Sequence, residues 1–307
     1  PPVINTCISC FLLSLSESVS HNRRIRFMCE TVEALQAVLE SRCPWAVLTG
    51  AGVSSDSGIP TYRDHDGKWL GSDPILHEEF IQDEAKRRRY WSRSALGWPR
   101  VARAEPNATH AALTGLEAAG TVGGIITQNV DRLHQRSGAR NVIDLHGRLD
   151  QVRCVDCDQI ESRCHIQQWL ETHNVIPRLK EAAVRPDGDA SLPDSFIERF
   201  QVPKCPRCGG VLKPDVVFFG GTVPKSTVAR CHALIDQSEG LLVVGSSLSV
   251  YSGLRFCRYC AQQNKPVVIL NRGKTRADDL SLHRFSATPF TLLEQYADRM
   301  HKSCRRE

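Results

Sequence analysis

The sequence predicts an α/β fold, a doubly wound parallel sheet interrupted by one small cysteine-rich module. Three observations lead to it. Short apolar runs rich in β-branched residues each stop on glycine or a polar residue; helical patterns separate several of them; and two Cys-x-x-Cys pairs fall where the alternation lapses.

Taken in order, "TVEALQAVLES" from Thr31 repeats its apolar residues at helical spacing, and "WAVLTG" (45–50) follows as the first buried strand. The densest basic run, Lys86 to Arg93, belongs to a helix beside Asp83 and Glu84 and reads as a solvated face, with a nucleic-acid or acidic-substrate contact as the alternative. "THAALTGLEAAG" precedes the second strand, "GGIITQN" (123–129), and "NVIDLHG" (141–147) is the third. Beyond the module, "STVARCHALIDQS" precedes the fourth strand, "GLLVVGSS" (240–247), and "PVVILN" (266–271) is the fifth. The segment between those two is a helix, on which Cys257 and Cys260 share one face and read as packing rather than redox residues.

The chain has 13 cysteines, but a core-rich chain of 307 residues needs no disulfide framework. Cys154-x-x-Cys157 and Cys205-x-x-Cys208, the second pair followed by two glycines, have the form of two knuckles whose four thiolates close a tetrahedral structural Zn2+ site. Residues 158–204 between them exceed the about 15–20 of a compact ribbon, without altering the local geometry. Within that stretch "RPDGDASLPDS" reads as a surface loop. The implied organisation is a Rossmann-like domain from 31–148 and 213–300, a zinc-binding module at 149–212 and a tail at 301–307. Residues 1–30 form a leader.

No apolar run reaches the about 18 residues of a membrane span. Residues 1–27 are serine-rich, carry one acid and end in "RRIR", which suits a mitochondrial transit segment; a segment outside the mature protein is the alternative. Mitochondrial matrix is therefore the expected location, cytoplasm the other.

In such sheets ligands bind outside the carboxyl ends of the strands. Strand one delivers Gly50-Ala51-Gly52, where missing side chains let backbone N–H groups and a helix N-terminus approach a pyrophosphate. The others deliver Gln128, Asn129 and Asp131, then His146, then Gly245-Ser246-Ser247, and finally Asn271. The third glycine of the usual fingerprint is displaced to Gly58, so the loop alone is weak evidence; five polar strand ends together are stronger. His146, with an ordinary pKa near neutrality, is a natural general base for a ribose hydroxyl.

"GAGVSSDSGIPTYRD", "TQNVDRLH", "LHG", the paired knuckles, "KPDVVFFGG", "GSSLSV" and "ILN" occur in an order that resembles the sirtuins, NAD-dependent protein deacylases, over about 45–275. "RRRYWSRSALGWP", "RPDGD" and "SSLSVYSG" are similar to the mitochondrial class II branch. The resemblance implies a reaction in which the acyl-lysine oxygen attacks the ribose carbon of NAD as nicotinamide leaves, and the neighbouring hydroxyl captures the imidate. It implies that NAD is a consumed co-substrate and that acyl-lysine proteins are the partners, with no direct nucleic acid and no membrane. It assigns the nicotinamide carboxamide to Asn129 and Asp131, with Ile59 and Val130 as apolar walls, and the base to His146. The rest of NAD falls to Gly50, Ala51, Gly52, Ser54, Arg63, Gln128, Gly245, Ser246, Ser247, Asn271 and Gly273. Val216, Val217 and Phe218 open a segment that would pair with substrate peptide as an added strand.

Tyr90 and Arg93 share a helix face, where a phenol and a guanidinium could receive an acyl carboxylate; a packing pair is the alternative. Mono-ADP-ribosyl transfer would use the same NAD site. A dehydrogenase would share the fold but need a hydride acceptor, and a zinc-ribbon nucleic-acid binder is opposed by Asp150, Asp156, Asp158 and Glu161 around the knuckles.

Overall fold

The computed structural model describes residues 30–61, 74–176, 192 and 194–304. Residues 1–29 of the leader, Arg63 and the "RPDGD" loop lie outside the described residues.

Helix α1 (Val32–Glu40) starts where the Thr31 hydroxyl accepts from the Ala34 amide, and it buries Val32, Leu35, Val38 and Leu39. Strand β1 (Trp45–Thr49) follows, buried throughout. Next come α2 (His77–Gln82), α3 (Glu84–Arg103), α4 (Ala108–Ala118) and β2 (Val122–Thr127). Asp83 and Asn107 cap α3 and α4 by accepting from two backbone amides each. After a short α5 (Leu133–Arg136) and β3 (Val142–Asp144), the chain leaves the main sheet as β4 (Gly147–Cys154), β5 (Ile160–Ser162), α6 (Arg163–His173), α7 (Asp194–Arg199) and β6 (Leu212–Val216). It returns as α8 (Lys225–Asp236), β7 (Gly240–Val244), α9 (Tyr251–Gln262), β8 (Val267–Leu270), β9 (His283–Phe285) and α10 (Pro289–Cys304).

The main sheet is parallel, in the order β3-β2-β1-β7-β8-β9. Alternation along each strand builds two cores. Trp45, Val47, Leu242, Val244, Val268 and Leu270 face a layer with residues of α1, α4 and α10, while Ala46, Leu48, Leu241, Val243, Val267 and Ile269 face α8 and α9. The sheet grows outward both ways from β1, so its topological switch lies between β1 and β7, where a crevice opens at the strand ends.

The antiparallel sheet β5-β4-β6 is the base of the cysteine module. It runs from Gly147 to Val216, wider than the expected 149–212, because β4 starts one residue after His146. The module packs on α2 and α3 through Phe80, Tyr90, Trp91, Ile166, Leu170 and Phe200. Arg163 of α6 is fully buried: its guanidinium sits 5.6 Å and 5.2 Å from the Trp91 and Trp98 ring centroids and donates to Ser94 and Gln167.

The C-terminal part differs from expectation. A sixth strand, β9, was not foreseen because its three residues are too few to display a period, and α10 continues to Cys304, past the expected tail boundary. Cys257 and Cys260 are fully buried in α9; burial pushes both thiols up, Cys260 to about 12, which agrees with packing. Among the described residues no helix is long and apolar enough to cross a membrane.

Candidate active site and metal centre

A cleft of about 1200 Å³ opens over the ends of β1, β2, β7 and β8 and is closed on one side by the segment after β6. Its floor is two glycine turns in backbone contact. Gly50 N–H donates to Val244 O (3.1 Å) and Gly52 N–H to Gly245 O (2.9 Å). A Cβ on Gly50 would lie 2.7 Å from Ser246 Cβ, and Gly245 itself has φ +64°. Only residues without side chains permit this approach, and it leaves room for a pyrophosphate at the crevice. The helix expected after β1 is a short 3-10 helix, Ala51–Ser57, ended by Gly58 at φ +80°; the displaced third glycine is thus a cap.

The polar strand ends interlock. Gln128 Nε2 donates to Ser246 Oγ (2.8 Å) and Thr49 O (3.2 Å). Asn129 Nδ2 donates to Gly50 O and Ser54 Oγ, both at 3.0 Å, and Ser54 Oγ donates to Asp131 Oδ2 at 2.7 Å. Asp131 also accepts from the Leu133 amide, and burial raises its pKa. Asn271, after β8, donates to Arg272 O and Gly273 O.

His146 stands at the joint between β3 and β4. Its Nδ1 is 3.0 Å from Gln128 O and its Nε2 2.7 Å from Ser252 Oγ, while its own carbonyl accepts from Val217 N–H. Burial lowers its pKa, partly offset by the hydrogen bond to the Gln128 carbonyl, and so favours the neutral imidazole.

Gly50, Ala51, Gly52, Gln128, Asn129, Val130, His146, Gly245, Ser246, Ser247, Asn271 and Gly273 all line the cleft. Ser54, Ile59 and Asp131 do not: each is buried or tied up behind the wall, Asp131 because Ser54 and the Leu133 amide occupy its carboxylate. Asn129 is therefore on the wall and Asp131 one hydrogen bond behind it. Val216, Val217 and Phe218 line the opposite side. Part of that segment's pairing is already taken, since Val217 binds His146 O and Phe219 O accepts from His77 N–H.

Tyr90 lines the cleft, its ring 5.4 Å from Phe80 and 5.3 Å from Phe218. Arg93, expected beside it, does not line the cleft. Sequence reasoning passed over Ser252 and Arg255, which line the cleft from α9. The available signal was the polar turn "GSSLSVYSG", which places a helix start at the ligand end of the fourth strand.

At the module tip the sulfurs of Cys154, Cys157, Cys205 and Cys208 lie within 4.8 Å of one another, with Cys154–Cys208 at 3.5 Å and Cys157–Cys205 at 3.7 Å. A zinc tetrahedron with Zn–S of about 2.3 Å has S–S edges of about 3.8 Å. The four thiols fit zinc, and a site closed by four protein ligands, with no open position, is a structural one.

The family model for the Sir2 family matches residues 50–252. The chain is 49% identical to an NAD-dependent protein deacetylase of Xanthomonas campestris pv. campestris (strain 8004) over 280 residues, 90% of this chain and 96% of that protein. It is 46% identical to NAD-dependent protein deacetylase 3 of Pseudomonas syringae pv. tomato over 255 residues, 83% and 91% of the two chains. Among solved structures, a Sir2 complex with a p53 peptide and NAD+ matches with a TM-score of 0.70 at 26% identity, covering 90% of this chain and 99% of that one.

Proposed function

Since the chain belongs to the Sir2 family, we propose a residue-level account of how its cleft works. The activity is NAD-dependent protein deacylation, with NAD consumed as co-substrate and zinc held structurally. The observation that carries the account is His146, its imidazole held by Gln128 O and Ser252 Oγ in the same cleft as the Gly50–Gly52 and Gly245 cradle. In this reading the glycine turns receive the pyrophosphate and Asn129, steadied by Ser54 and Asp131, orients the carboxamide. His146 takes the proton of the ribose hydroxyl, which lets that oxygen capture the imidate. The segment Val216–Phe218 guides the acyl-lysine peptide with the backbone groups left unpaired.

The finer reading is a class II enzyme, supported by the "RRRYWSRSALGWP" stretch on α3 that carries Tyr90 to the cleft. Address to the mitochondrial matrix rests on the composition of residues 1–27, and import of a reporter fused to them tests it. The activity is tested by incubating the protein with NAD and a panel of acyl-lysine peptides. Mass spectrometry should find nicotinamide and O-acyl-ADP-ribose in equal amounts. ADP-ribose appearing on protein instead would favour mono-ADP-ribosyl transfer.

A further inference from the structure

A carbonyl oxygen only accepts, so the contact between His146 Nδ1 and Gln128 O requires the proton on Nδ1. The neutral ring then carries its one lone pair on Nε2, the nitrogen available to act as a base. That lone pair is already engaged. The Ser252 hydroxyl, 2.7 Å away in the first turn of α9 and on the wall of the same cleft, is the only possible donor in that pair. One lone pair makes one good hydrogen bond at a time. A ribose hydroxyl that is to pass its proton to Nε2 must therefore displace the serine.

We propose that Ser252 is a positioning residue for the His146 base: its hydroxyl holds the Nε2 lone pair in the resting cleft and yields it to the ribose hydroxyl when NAD binds. The proposal rests on the reading of His146 as the base. The proton moves from the ribose oxygen to Nε2; the serine rotates aside and exchanges nothing. Holding the ring this way keeps Nε2 in place at a joint between two sheets, where β3 ends and β4 begins. It also makes the nitrogen less basic, because a donor to the neutral form stabilises that form, in the same sense as burial.

Charged groups on the surrounding elements are engaged elsewhere. Asp144 on β3 pairs with Arg132, Arg148 on β4 with Asp150, and Asp215 on β6 with Arg153. Asp131 after β2 holds Ser54, Lys213 on β6 donates to Pro214 O and Val216 O, and Arg255 on α9 stacks over Tyr251. The serine hydroxyl is thus the group whose removal changes the electrostatics at Nε2 most directly.

The test compares wild type, Ser252→Ala and Ser252→Thr by two measurements. One is kcat/KM for NAD with an acetyl-lysine peptide from about pH 5 to 9, whose acid limb reports the free enzyme's base. The other is an NMR titration of the His146 imidazole without substrates. In Ser252→Ala the limb and the NMR midpoint should both move to higher pH, and KM for NAD should fall about two- to tenfold, the worth of one neutral hydrogen bond. Ser252→Thr, which keeps the hydroxyl, should retain the wild-type values. An unchanged midpoint in Ser252→Ala, a move to lower pH, or a threonine variant that behaves like alanine would each overturn the proposal. Wild-type protein without NAD-dependent turnover would instead remove the reading of His146 as base, while the NMR titration would still decide the serine bond.

Discussion

Gly52 and Gly245 meet backbone to backbone: the Gly52 amide donates to the Gly245 carbonyl, and a Cβ on Gly52 would stand 2.9 Å from that oxygen. Neither partner is the free end of a side chain, so the clash cannot relax without moving a strand end. Gly52→Ala is expected to weaken NAD binding at least tenfold, about 1.4 kcal/mol, and to lower stability by about 1–3 kcal/mol. Calorimetric titration with NAD and urea unfolding measure the two effects. Wild-type NAD affinity in this variant would refute the cradle.

His146→Ala should reduce deacylation by about 10²- to 10⁴-fold while the Kd for NAD changes little, because hydroxyl activation is lost and the cradle is intact. The pH profile carries a sign. A base must be neutral to act, and burial depresses this one. Wild-type kcat/KM should stay level as pH falls to about 6.5, the ordinary imidazole value, and decline only below it. An acid limb above that value would contradict the burial argument.

The buried rings of His110 and His134 lie 4.9 Å apart, and burial lowers their pKa values to about 4 and about 3. Unfolded, each titrates near about 6.5, so below that pH the unfolded chain binds more protons. The stability they contribute is complete above about pH 6.5 and is lost as pH falls toward the folded values, by up to about 1.4 kcal/mol per pH unit for each ring. Urea unfolding between about pH 7 and 5 should show this slope, and His110→Phe should reduce it by up to about one proton. An identical slope in the variant would show that His110 is not charged on unfolding.

Metal analysis should find about one zinc per chain, and alanine at Cys154, Cys157, Cys205 or Cys208 should lower the unfolding temperature together with the metal content. Active, freshly purified protein devoid of metal would rule the site out.

Because Tyr90 lines the cleft and Arg93 does not, Arg93→Met should change kcat/KM by the same factor for glutaryl-type and butyryl-type peptides. Tyr90→Ala, which opens the cluster of Phe80 and Phe218, should alter the ratio between short and long acyl chains. A loss on the acidic acyl group alone in Arg93→Met would restore the arginine as its receptor.

The strands, the long helices and the zinc knuckles were legible because they repeat: period two, period 3.6 and paired cysteines are local signals. The strand-end residues could be named for the same reason, as each follows an apolar run. What lay beyond reach is set by contacts distant in sequence. Asp131 withdraws behind Ser54, 77 positions away, and Ser252 meets His146 across 106. Neither pairing leaves a trace in the spacing of nearby residues. The short β9 was missed because its identity comes from lying beside β8 rather than from any pattern of its own.

Arg163 bears on how such enzymes could be recombined. A graft of residues 149–212 into a related scaffold would carry this guanidinium but leave behind Trp91, Ser94 and Trp98, which enclose it, and a buried cation without its cage is strongly destabilising. The exchangeable cassette must include α3 as well. Since α3 also brings Tyr90 to the cleft, any chimera that inherits the zinc module intact inherits part of the donor's cleft wall with it.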